Sequence, residues 1–111
     1  MDAASHIFGV FVTIIADLPA RRVITELDLQ CRMLEHDLWD GRRPLTQEAF
    51  SILRFGQFVR AAKMGRDTCA VEAVPRGHLA FYKTTLIRLI HANELPPSAT
   101  EQFNHTFSVA A

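Results

Sequence analysis

The side chains here that could do chemistry are five histidines, two cysteines and several clusters of acids and arginines. Glu35-His36-Asp37, followed by Asp40, gathers nitrogen and oxygen ligands in one place, and His36 and Asp40 stand four apart, on one side of any helix. A metal centre needs three or four converging ligands, and no H-x-x-x-H or H-E-x-x-H pair supplies the others. The segment therefore reads as a solvated helix end, and neither a metal nor another cofactor is expected. His78 and His91 would lie about 20 Å apart along a helix, at a rise of ~1.5 Å per residue, and so cannot share an ion. Nucleophilic catalysis needs a Cys or Ser beside a base. Cys69 has basic neighbours that would favour its thiolate, but no histidine is near it in sequence. There is no G-x-S-x-G elbow and no glycine-rich phosphate loop after a strand. An enzyme is thus not the expected reading. A small-molecule site would have to be assembled from scattered polar residues, with His36, Tyr82 and His91 as the groups to inspect.

Charge offers a second kind of chemistry. The formal net charge is zero, so no global field draws the chain toward nucleic acid or membrane. Its distribution is uneven: acids prevail over residues 1–40 and bases over residues 41–88. Arg42, Arg43, Arg60, Lys63 and Arg66 are the candidate contacts for a polyanion. Nucleic-acid modules usually carry a net basic charge, and Arg54 falls about 120° from Arg60 on a helix, so the segment makes no basic stripe. The expectation is that the two halves neutralise each other, within the fold or across a dimer. Nucleic acid is a possible partner but not the favoured one.

The elements that must position these groups follow from spacing. Ile24, Leu27, Cys31, Leu34 and Leu38 step by three and four, which predicts a helix over about 20–39, stopped by Asp40-Gly41 and Pro44. Thr46 caps a second helix to about residue 63, with apolar residues on two faces, which suits a central position. A third runs over about 78–93 and is stopped by Pro96-Pro97. The β-branched and aromatic run over 7–15 suggests a strand covered on both sides. A weak alternation over 69–74 and a clearer one over 103–109 suggest two more. The expected fold is a single α+β domain with three helices and a small sheet. The alternative is an all-α bundle in which the first apolar run is a fourth helix and the tail is irregular.

The chain has 111 residues, 49% of them apolar and eight of them Phe. A domain this small buries about two-thirds of the surface its unfolded chain exposes, so some of that apolar surface calls for a partner. Leu29, Met33, Phe81 and Ile87 lie off the main helical stripes and are the candidate interface. Ile7–Ala16 is too short to span a bilayer and lacks a cationic flank for a signal peptide. Cys31 reads as a small core residue, and two cysteines make no disulfide framework. The sequence alone therefore suggests a cytoplasmic, non-catalytic interaction domain that self-associates, as a dimer, through apolar helix faces.

Overall fold

The computed structural model describes residues 6–66 and 74–107. Within them the chain forms five helices: α1 (His6–Asp17), α2 (Ala20–Trp39), α3 (Gln47–Lys63), α4 (Arg76–His91) and α5 (Ala99–Thr106). The expected α+β fold is corrected to an all-helical one, with no strand among the described residues. The all-α alternative is right about the N-terminal run and wrong about the tail, which forms α5.

The physical reasons differ at the two ends. Residues 7–15 are apolar throughout, so a strand pattern and a helix pattern were both present. Phe11 and Ile15 are fully inside, with Ile7 and Phe8 half-buried on the same side, which is the helical step of three and four. β-branched propensity is weak and is overridden by packing of this kind. Over 103–109 the alternation was coincidental. Ala99, Phe103, Thr106 and Phe107 are buried while His105, expected to share the inner face, is exposed. The second expected strand, 69–74, lies outside the described residues except for Val74, which is buried. So does the end of the last, 108–109.

The three helices read from spacing are present. α2 has the expected limits, and Gly41 takes the positive φ of 73° that ends it. Thr46 accepts a hydrogen bond from the Ala49 N–H and caps α3. α4 begins directly after Pro75, which sits where no N–H is needed.

α3 is the centre of the molecule. Its buried residues, among them Ala49, Ile52, Phe55, Phe58, Val59 and Ala62, occupy more than one face, and α2, α1 and α4 all pack on it. The crossing with α2 is close because Gly56 has no side chain: a Cβ there would run into Cys31 Sγ, with the Leu27 carbonyl oxygen 3.8 Å away. Cys31 is free and buried, and its thiol donates weakly to the Ile52 carbonyl at 3.7 Å. α1 is held at its C-terminal end by Arg88 of α4. The guanidinium donates to the carbonyls of Ile15 (3.0 Å) and Ala16 (3.3 Å) in the last turn, where intrahelical donors run out and Ile15 has only a long bond from the Leu18 N–H (3.4 Å).

Candidate functional site

The residues with chemical potential fall in three places. The first is a buried polar cluster where α3 and α4 meet. Ser51 Oγ lies 2.8 Å from Tyr82 Oη and 3.1 Å from His78 Nδ1. Phe55 stacks on Tyr82 with ring centroids 4.1 Å apart, and Phe8 stacks on His78 at 3.6 Å. All three polar residues are buried. Burial holds His78 below its ordinary pKa and Tyr82 above its own, so both are neutral at pH 7. Ser51 Oγ is the shared partner: one hydroxyl of the Ser51–Tyr82 pair donates to the other, and the Ser51–His78 bond takes its direction from the imidazole tautomer.

That arrangement resembles a nucleophile and its base only in composition. Ser51 and Tyr82 are fully buried, and Phe55 stacks on the Tyr82 ring. Protonation of His78 would place a charge in a buried site, which desolvation disfavours. Because the folded pKa lies below the unfolded value of about 6.5, the unfolded state binds the proton first. Stability from this group is therefore complete above about pH 6.5 and falls as the pH drops toward the folded pKa. Urea melts at about pH 7.5 and about pH 5 are expected to show a larger loss for the wild type than for His78→Asn, which keeps an acceptor but cannot titrate. Equal losses would remove His78 from the account.

The second place is the charged surface. Arg43 Nε donates to Asp37 at 3.0 Å, Arg42 lies 3.6 Å from Asp40 and 3.9 Å from Asp37, and Arg60 lies 3.4 Å from Asp28. Three of the five bases considered for a polyanion are thus paired with acids of α2. Lys63 and Arg66 are exposed at the far end of α3 from Arg42 and Arg43, so the five do not converge. His36 pairs with Asp40 at 3.2 Å on the surface, Tyr82 is inside, and His91 is exposed at the end of α4. These three proposed pocket groups do not meet. No group of three potential metal ligands occurs among the described residues. Cys31 lies within the core, where burial first, and then the charges of Glu35 and Asp28, push its thiol up to about 12. It is no nucleophile. Cys69 lies outside the described residues.

The third place is apolar. On α2, Leu29 is 49% exposed and Met33 54%, and they stand on the side of the helix away from its buried stripe of Val23, Leu27, Cys31 and Leu34. Met33 and Val10 flank a groove of about 180 Å³ between α1 and α2, floored by Phe11, Leu34 and Ile52. Ile87 is 51% exposed, but its neighbours on the outer face of α4 are Lys83, Thr84 and His91. Phe81 is half-buried, meeting Phe8 and Phe11 edge-on, and so belongs to the packing of α1 on α4. Of the four candidate interface residues, the structure places Leu29 and Met33 on one continuous surface. Trp39, the only tryptophan, is 90% exposed at the end of α2. Sequence reasoning passed over it, although the angular test that singled out Leu29 and Met33 also puts it well off the core stripe.

No protein-family model, curated protein or solved structure matches this chain. No helix among the described residues is long and apolar enough to cross a membrane.

Proposed function

We propose that this chain is a non-catalytic interaction domain that self-associates through the outer face of α2. The observation that carries this reading is the placement of Leu29 and Met33, half-exposed and directed away from their own core. Large apolar side chains clustered on a surface favour association, and an exposed Trp is the side chain that most often anchors an interface. The free, buried Cys31 thiol suits a reducing, cytoplasmic setting. Sedimentation velocity tests the proposal. Leu29→Glu/Met33→Glu is expected to sediment as one chain at concentrations where the wild type sediments as two, while keeping the helical far-UV circular dichroism of the wild type because both sites are on the surface. Identical sedimentation of the two proteins would overturn it.

A second reading, small-molecule binding, is favoured by a cleft of about 260 Å³ between α2 and α3. Its floor is Ile24, Leu27 and Val59, and its rim carries Arg60, Lys63 and Asp28. Arg60 is paired with Asp28, and the Lys63 ammonium beside an apolar floor suits a small carboxylate with a hydrocarbon body. That reading requires saturable binding of hexanoate that Lys63→Glu abolishes, and no such binding under the first.

A further inference from the structure

α2 has a second seam. Arg22, Glu26, Leu29, Met33, His36 and Asp40 recur at steps of four, three, four, three and four. At 100° per residue they occupy a stripe about 80° wide, opposite the buried one. Asp40 continues it because the residue after Trp39 keeps helical backbone, with φ −78° and ψ −2°. Five of the six are exposed and Glu26 is half-buried. Steps alternating between three and four are the pattern by which one helix lies along another.

The seam is its own complement when reversed. Turned end for end about the level of Cys31, the position of Leu29 meets Met33, Glu26 meets His36 and Arg22 meets Asp40. We propose that α2 pairs antiparallel with the α2 of a second copy across a two-fold axis at that level. The apolar pair forms the centre of the contact. Arg22 faces Asp40 of the partner subunit, and Glu26 faces His36 of the partner subunit, each contact occurring twice by symmetry. A parallel pairing would set each of these charges against its own kind. The proposal rests on the self-association reading above and fixes the partner and its orientation.

A second observation agrees. The charges of α2 oppose its own dipole: Arg21 and Arg22 stand in the first turn, where no acid is present, and Glu35, Asp37 and Asp40 gather near the end. Cations at a helix N-terminus and anions at its C-terminus are unfavourable in isolation. Arg42 and Arg43 relieve Asp37 and Asp40 in part, whereas Arg21 and Arg22 make no ion pair among the described residues. Antiparallel pairing sets each basic N-terminal turn beside an acidic C-terminal one, so the arrangement that is unfavourable in one helix becomes favourable in two. The same two-fold axis puts Trp39 on the flank beside the partner's Arg21, a cation that can cover an indole face.

Charge exchange tests the register. By sedimentation equilibrium, Arg22→Glu and Asp40→Arg are each expected to weaken the dimer by about tenfold, since each substitution acts at both ends of the contact. The protein carrying both is expected to return to within about threefold of the wild type. Glu26→Lys with His36→Glu repeats the exchange at an independent level and decides the matter should Asp40→Arg disturb the end of α2. A dimeric wild type in which neither exchange restores association overturns the antiparallel register and leaves self-association standing. A wild type that stays a single chain overturns both.

Discussion

Gly56→Val is expected to destabilise the protein by about 3 kcal/mol, the upper part of the range for forcing atoms into a packed interior. The cause is the crossing of α2 and α3, where even a single added carbon at residue 56 meets Cys31 Sγ. Either the thiol rotates away and loses its bond to the Ile52 carbonyl, or the two helices move apart and loosen the most extensive contact in the fold. Gly56→Ala makes the point by its sign. In the native background it should cost about 2 kcal/mol, despite the gain of about 1 kcal/mol that Ala brings to a helix interior. With Cys31→Ala the sulfur is gone, and the nearest remaining side-chain atom, the Cβ of residue 31, is at an ordinary 3.5 Å. There the same Gly56→Ala should be neutral or stabilising. Urea melts of the four proteins give the cycle directly, and a Gly56→Ala effect of the same sign in both backgrounds would dismiss the close approach.

Ser51→Ala is expected to cost about 3 kcal/mol, because the serine hydroxyl serves two buried groups at once. Its loss leaves Tyr82 Oη and His78 Nδ1 without partners inside the protein, at about 1–3 kcal/mol for each unsatisfied group. Tyr82→Phe removes one hydroxyl and leaves Ser51 still bonded to His78, so it should cost less, about 1 kcal/mol. The order of the two effects is the test. If denaturant melts show Tyr82→Phe to be as damaging as Ser51→Ala, the hydroxyl of Ser51 is not the hub.

Both effects depend on contacts between residues distant in sequence, which limits what the sequence alone could reveal. In the sequence Gly56 reads almost equally well as a close approach of a neighbouring backbone and as a tolerated helix glycine, and nothing local names Cys31 as the neighbour. The polar cluster was not legible at all. Ser51 lies 27 residues from His78 and 31 from Tyr82, with no spacing that marks them as a group. Tyr82 was a candidate pocket group, and the fold sets it in the core instead. α2 was readable end to end, because its stripe is regular and Asp40-Gly41 and Pro44 stop it. α1 was not, because a segment apolar on every side carries no period for the eye to use. The four alternating positions near the C-terminus were too few to outweigh the helical spacing of Ala99, Phe103 and Thr106.

The charge pattern shows the same limit. An acidic first part and a basic second part suggested complementary halves that would set the register between protomers. In the fold, Arg42, Arg43 and Arg60 turn back on Asp37, Asp40 and Asp28 of their own chain. In the proposed dimer it is the opposed charges at the two ends of α2 that orient the partner. Leu29 and Met33 were readable as off-stripe residues from their angles, whereas Phe81, flagged by the same criterion, is half-covered by α1. An angle shows that a side chain leaves one stripe, not what waits on the other side.

The most direct measurement is the molar mass of the unmodified protein by light scattering as its concentration rises. Apolar surface uncovered on α2 should bring the value to that of two chains, with the single tryptophan shifting its emission to the blue over the same range. A mass that stays at one chain at the highest concentration reached, with the emission of Trp39 unchanged, would contradict the docking face.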